Sequence, residues 1–460
     1  MDYVKSIIES LSEIIKIKTV QDVPVPGGPF GLGNKQCLER VLEICKDLGF
    51  KVKNLDGYCG YAEIGSGDEI VGIIGHLDVV PEGSGWKYPP YSAKIVDGEM
   101  WGRGTWDDKG PTMISIYAIK ALMDENMAFN KRVRLIFGCN EESGSRCVEH
   151  YLEVEEPISY GVSPDSAFPV IFGEKTINGI VIQGKSIDTG DVKLKLLDAG
   201  IVANAVPDIC NFVLTYQDEK QINEVIKKIS KYYKDNNIEF GYKKQDGEVS
   251  FEVHGKACHG STPQFGINAA SFGIVGLAKA IDNSFTTFYE NCIGTCVHGE
   301  KLGCFAEDEY GKIAVNIGLV HMENGLFKII INSRLPFNTN SEKMIKQIKD
   351  TIKDYANVEA TLVGDSKGFI MDKDSIMIKS LVEAYQKVTH DYTSKPICSA
   401  GGTYAREFNN CVAFGPEMDG YGEIIIHQPN ERIQLKAIED IFKIYKSAYK
   451  DLIEKVSFKK

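Results

Sequence analysis

The 460-residue chain has no C-x-x-C pair among its 12 cysteines, and its nearest grouping is Cys292 with Cys296. Secreted disulfide frameworks are small and cysteine-dense, and this chain is neither, so a disulfide-stapled secreted fold is excluded. Cys45, Cys139 and Cys411 sit in apolar runs and read as small buried hydrophobes. A reducing, cytoplasmic setting is expected. The start, Met1-Asp2-Tyr3-Val4-Lys5, lacks a basic segment followed by an apolar one, so no signal peptide is expected. No apolar run reaches the roughly 20 residues of a membrane span. Basic residues are in deficit, 52 against 64 acidic, for a net charge of −12. That repels nucleic acid and anionic membrane in general, and neither is expected as a partner. Linker-like runs and internal repeats are also missing.

A strand–tip–helix rhythm is present. Ile70-Val71-Gly72-Ile73-Ile74-Gly75 is an apolar, β-branched run ending in His76-Leu77-Asp78. It reads as a buried strand, with His76 and Asp78 pointing one way and Leu77 the other. Pro111 suits the first turn of a helix over 111–123. A second strand over 132–138 ends in Asn140-Glu141-Glu142, and a helix near 145–153 leads to a third ending in Ser163-Pro164-Asp165. Three repeats with polar tips at the carboxyl ends of strands are the α/β pattern. N-terminal to them lie an amphipathic helix over 2–16, a Pro- and Gly-rich loop, and a helix that Asn34 is expected to cap, ending near Gly49. From about residue 176 short strands alternate with helices over 219–235, 265–281 and 341–355. The α/β pattern resumes after about 362, with helices near 375–388 and 435–453. The expected architecture is a discontinuous α/β catalytic domain, residues 1–175 and 362–460, with an inserted α+β domain, residues 176–361.

His76, Asp107, Glu142, Asp165 and His427 form a candidate ligand set. Mixed imidazole and carboxylate donors suit zinc, cobalt or manganese. Five ligands are too many for one tetrahedral zinc with an open position. They suffice for two metals if one carboxylate bridges, and the Asp107-Asp108 pair is the natural source. A metal-bound water needs a base, and Glu141 beside Glu142 offers one carboxylate for each task. Taken singly, a His-x-Asp at a strand end is often only a hydrogen-bonded pair, and Asp-Asp or Glu-Glu is often a solvated turn. The conjunction on separate strand ends is what points to a metal site.

These residues carry a resemblance. Gly75-His76-Leu77-Asp78-Val79-Val80-Pro81, Gly102-Arg103-Gly104-Thr105-Trp106-Asp107-Asp108-Lys109-Gly110, Asn140-Glu141-Glu142, Ser163-Pro164-Asp165 and His427-Gln428-Pro429-Asn430-Glu431 occur in the order seen in the M20 metallopeptidase family. The chain is most similar to its PepV-like dipeptidases, which include Xaa-His dipeptidases. The resemblance implies a cofactor of two Zn2+ ions, with Co2+ or Mn2+ as alternatives. His76 and Asp165 would hold one ion, Glu142 and His427 the other, and Asp107 would bridge, with a cis peptide after it. Asp78 would orient His76 and Glu141 would act as general base. In the inserted domain, a lid by resemblance, His259 of His254-Gly255-Lys256-Ala257-Cys258-His259-Gly260 would stabilise the oxyanion. Asn204, Arg334 and the backbone of Gly401-Gly402 would hold the substrate. The implied activity is hydrolysis of a short peptide, a dipeptide above all, by a monomer or homodimer. The alternatives are a deacylase or desuccinylase acting on N-acyl amino acids, and a non-catalytic metal-binding protein on the same scaffold. One departure stands out: PepV-like members commonly carry an acidic residue shortly after the Asp165 position, whereas here Ser166-Ala167-Phe168-Pro169 follows.

Overall fold

A computed structural model describes residues 1–458. The chain divides into two compact units, Met1–Glu174 with Ile370–Lys460, and Lys175–Phe369. The first crossing lies one residue from the expected 175/176. The second lies at 369/370 rather than 361/362, because the strand Val358–Ser366 pairs with Thr176–Lys185 and so belongs to the second unit. That pairing joins segments almost the whole insert apart, which local sequence pattern cannot reveal.

The first unit is built on a mixed sheet. Its strands run in the order Lys51–Leu55, Cys59–Ile64, Arg132–Gly138, Ile70–His76, Tyr160–Ser163, Cys411–Ala413 and Ile171–Glu174. Ile70–His76 lies parallel to both Arg132–Gly138 and Tyr160–Ser163, and Cys411–Ala413 continues the parallel run. Every residue of Ile70–His76 is buried. That is why its sequence is continuously apolar rather than alternating. The helices Tyr3–Ile15, Lys109–Asp124, Ile376–Thr389 and Leu435–Lys455 supply much of the remaining core, with Ile7, Leu11, Ile116, Leu381, Ile441 and Tyr445 all buried. Cys45, Cys139 and Cys411 are buried as expected.

Asn34 does not cap its helix. The helix runs Leu32–Asp47, with Gly31 at the cap position at φ +105°. Asn34 lies inside the first turn, buried, donating to the carbonyls of Thr19 and Phe30 at 3.1 and 3.0 Å. It fastens the preceding loop rather than starting the helix, a use of Asn that only the returning chain at Thr19 makes possible.

The second unit is an eight-stranded sheet, antiparallel throughout, in the order Glu239–Gln245, Glu248–His254, Ile209–Thr215, Lys193–Ala199, Ala314–Glu323, Leu326–Leu335, Thr176–Lys185, Val358–Ser366. The helices Glu219–Asp235, Ala269–Ala278, Ser284–Cys292 and Ser341–Ile352 share one apolar core with the sheet. Ser284–Cys292 is a helix that the sequence hides. Its Ser-Phe-Thr-Thr-Phe-Tyr run is poor in strong helix formers. It is set instead by the Asn283 side chain, which accepts from Thr286 N at 3.0 Å, and by burial of Phe285, Phe288 and Tyr289.

Candidate active site

The strands Ile70–His76, Arg132–Gly138 and Tyr160–Ser163 are parallel neighbours, so their carboxyl ends lie along one edge of the sheet. His76, the Glu141-Glu142 pair and Asp165 follow from those ends, which is where an open α/β sheet leaves room for a ligand. Asp107 enters from the Gly102–Gly110 turn and His427 from a loop at φ +57°.

Asp107 stands at the centre. Its Oδ1 is 2.9 Å from Nε2 of His76 and its Oδ2 is 2.8 Å from Nε2 of His427. Nε2 of His427 also lies 3.1 Å from Glu142, and Nε2 of His76 lies 3.6 Å from Asp165. One ligand atom each from His76, Asp107 and Glu142 falls within 4.8 Å, and so does one each from His76, Glu141 and Asp165. The five expected ligands and Glu141 are thus brought together, with two imidazoles on opposite oxygens of one carboxylate.

Asp78 faces the His76 ring and has a second contact that the sequence does not suggest. Nδ1 of His76 meets the Asp78 backbone carbonyl at 2.9 Å, and the Asp78 carboxylate lies farther off, at 3.5 Å. The two carboxylate oxygens also accept from the backbone N–H groups of Glu141 and Glu142, each at 3.0 Å. Asp78 therefore clamps the Glu141-Glu142 backbone while its own carbonyl sets the His76 ring. The Asp107-Asp108 peptide is cis. The Asp108 carboxylate accepts from His76 N at 3.1 Å and from Thr112 Oγ1 at 2.9 Å, joining the strand end to the helix Lys109–Asp124.

Two residues of the motifs had no role assigned from the sequence. Glu431 is fully buried; its Oε1 accepts from the backbone N–H groups of Gly104 and Trp106, at 3.0 and 2.9 Å, and its Oε2 takes Nη1 of Arg103 at 2.8 Å. Arg103 in turn donates to carbonyls of Gln428, Pro81 and Glu82. This buried pair shapes the turn that presents Asp107. The signal was their place inside the motifs; their partners are each other and backbone groups of distant segments, which no spacing encodes.

The electrostatics favour cations. Burial and the charge of Asp165 hold the Glu141 carboxyl well above the usual carboxylate range. Burial, then the charges of Asp107 and Glu142, push Asp165 up to about 7 against the opposing His76. Asp107 goes the other way: burial would raise it, but hydrogen bonds to His427 and His76 hold it far down. Hydrogen bonds to Asp107 and Glu142 carry the His427 imidazolium up to about 11. Crowded carboxylates that protons and imidazolium ions must neutralise form a donor set that divalent cations fit. Mixed imidazole–carboxylate donors at sheet-edge tips, with a further carboxylate beside them, define the class as a metal-dependent hydrolase.

Residues 72–451 match the family model of the peptidase family M20/M25/M40, and the chain belongs to that family as a metallopeptidase. A Bacillus subtilis protein named "Putative dipeptidase YtjP" is 33% identical over 459 residues, covering 97% of each chain. A Staphylococcus saprophyticus protein with the same dipeptidase designation is 34% identical over 471 residues, covering 98% of each. The fold is shared with the aminopeptidase PepT of Bacillus cereus, at TM-score 0.57, 15% identity and 98% coverage of each chain. It is shared also with the dipeptidase Dug1p of Saccharomyces cerevisiae, at TM-score 0.56 and 14% identity over 99% of this chain and 98% of that one.

In the second unit, His259 and Asn204 are held on adjoining turns. Ala205 and His259 form an isolated antiparallel bridge, and Gly260 N donates to the Asn204 carbonyl at 2.7 Å. Nδ1 of His259 accepts from Ser261 N at 3.2 Å, which leaves the ring proton on Nε2. Asn316 stands behind both turns, buried, its amide donating to the carbonyls of Ala203 and Ala205 at 2.9 Å each. Arg334 is also buried, with Nη1 donating to Asn332 Oδ1 at 2.7 Å. In the first unit, the Gly401-Gly402 loop is braced by Glu174. That carboxylate accepts from Thr403 N, Thr403 Oγ1 and Arg406 Nε, and Nη2 of Arg406 donates to the Gly401 carbonyl at 3.0 Å. Among the described residues no helix is long and apolar enough to cross a membrane.

Proposed function

We propose that the protein is a dipeptidase that binds two divalent ions, zinc by preference, between His76, Asp107, Glu142, Asp165 and His427. The observation that carries this reading is Asp107 with one imidazole on each oxygen, the arrangement a bridging carboxylate requires. His76 and Asp165 would serve one ion, Glu142 and His427 the other. When bound, the ions supply Lewis-acid polarisation of the scissile carbonyl and an acidified water.

The remaining chemistry belongs to the chain's own side chains. Glu141, whose carboxyl burial and the charge of Asp165 hold well above the usual carboxylate range, takes a proton from the attacking water and returns it to the leaving amine. Its place is set by the Asp78 clamp on its backbone N–H. The Nε2–H of His259 is the donor for the developing oxyanion, and Asn204 and Arg334 orient the substrate. The Gly401-Gly402 backbone, held from behind by Glu174 and Arg406, receives the substrate carboxylate, for which a side-chain-free loop allows close approach. Support for a short substrate comes from relatives at 33–34% identity bearing a dipeptidase name. A cytoplasmic setting agrees with the scattered cysteines, nine of the twelve buried as small hydrophobes.

The test is a panel of unblocked dipeptides, tripeptides and N-acyl amino acids on enzyme stripped by chelation and reloaded with zinc, cobalt or manganese. Hydrolysis of dipeptides, lost on chelation and regained with metal, is expected. Turnover confined to N-acyl amino acids would replace this reading with the deacylase one.

A further inference from the structure

We infer that Glu417 is the acceptor for the substrate's α-ammonium group and hence the residue that makes the site select peptides with a free amino end. The inference rests on the dipeptidase reading above.

A dipeptide brings one cation, its ammonium, and a site that selects it needs a carboxylate outside the metal set. The stretch after Asp165 offers none, since Ser166 and Ala167 follow. The fold supplies one from elsewhere in the chain. The two-residue strand Pro416–Glu417 pairs in parallel with Ser166–Ala167, with Glu417 in register with Ala167. Phe168 N donates to the Glu417 carbonyl at 2.8 Å and Ser166 N to the Gly415 carbonyl at 2.7 Å, which fixes that register.

Side chains alternate along an extended strand, and residues in register share a face. Ala167 and Glu417, in register, share one face of this strand pair, two residues on from the expected ligand Asp165. The opposite face is apolar, with Phe168 and Pro416 buried and Phe168 packed on Phe414 and Tyr445. The carboxylate is close enough to the cluster for the charge of Asp107 to act on it.

Glu417 is half-buried, and no hydrogen bond or cation among the described residues offsets that burial. A half-buried carboxylate that no protein donor or cation occupies leaves its acceptor oxygens for a ligand. An ammonium group in hydrogen-bonding reach is the ligand whose charge and donors match.

The test compares Ala-Leu with propionyl-leucine, which keeps the scissile bond and the carboxylate but has hydrogen in place of the ammonium. Wild-type enzyme loaded with zinc should hydrolyse Ala-Leu with far the higher kcat/KM. In Glu417→Gln that preference should fall by about 10- to 100-fold, the usual worth of a hydrogen bond to a charged group, mainly through KM for Ala-Leu and with both metals retained. Moving the carboxylate across the register pair, in Ala167→Glu with Glu417→Ala, should restore much of the preference. An unchanged preference in Glu417→Gln, loss of a bound metal in that variant, or a relocated carboxylate that restores nothing would each overturn the inference. A wild-type enzyme inactive on every unblocked dipeptide would instead remove the dipeptidase reading, and this inference with it.

Discussion

Replacing Asp78 by asparagine separates two roles that a carboxylate beside a metal-site histidine can play. If the carboxylate orients His76 through its ring, Asp78→Asn should disturb the imidazole. The ring nitrogen Nδ1 lies nearer the Asp78 backbone carbonyl, at 2.9 Å, than the Asp78 carboxylate, at 3.5 Å, and both carboxylate oxygens accept from the N–H groups of Glu141 and Glu142 at 3.0 Å. Asparagine keeps one acceptor and turns an amide donor toward the other N–H. One charge-assisted hydrogen bond is lost, about 1.5–3 kcal/mol, and a buried N–H is left opposing a donor. The base and a metal ligand both hang from that backbone, so metal affinity and kcat/KM should each drop by about 10- to 100-fold. The urea midpoint should fall by an amount equivalent to about 2 kcal/mol. Imidazole 15N NMR should show His76 still protonated on Nδ1, because its acceptor is main chain. A switched His76 tautomer, or a variant with unaltered metal affinity and turnover, would refute the clamp.

Three further outcomes are expected. Glu141→Gln should bind both metals with near wild-type affinity but lose at least about 10²- to 10⁴-fold in kcat, measured beside metal content; retained turnover would remove Glu141 as base. Metal uptake should release protons at pH 7: His427 stays protonated up to about 11 in the metal-free cluster and must lose that proton to ligate. Titration calorimetry in buffers of different ionisation enthalpy should find release of about one proton or more, with affinity rising as pH rises; zero release would count against His427 as a ligand. Asn316→Asp sets a buried carboxylate against the carbonyls of Ala203 and Ala205 and should loosen the turns carrying Asn204 and His259. Turnover should fall by about tenfold or more while metal content holds, and loss of metal in that variant would contradict a role confined to the second unit.

How much was legible follows from the range of the forces involved. Helices such as Glu219–Asp235 and strands such as Arg132–Gly138 have the bounds their periodicity predicts, because burial of one face is written locally. Ser284–Cys292 was not legible, since its helicity comes from packing and a cap rather than propensity. Asn34 was misread for the converse reason: its residue type suits a cap, but its partner at Thr19 is brought there by the fold.

The sequence by itself determined which chemistry is available. Histidines and carboxylates at the polar tips of apolar runs are a matter of residue type and period, and both are local. Only the tertiary structure decided how those groups divide the work. Asp78 grips the Glu pair as well as facing the His76 ring, Glu431 shapes the turn under Asp107, and Glu417 stands beside Ala167, 250 residues away in the chain. Each of these rests on a backbone hydrogen bond or strand register between distant segments. Main-chain donors and acceptors are the same for nearly every residue type, so no sequence pattern announces which of them will meet.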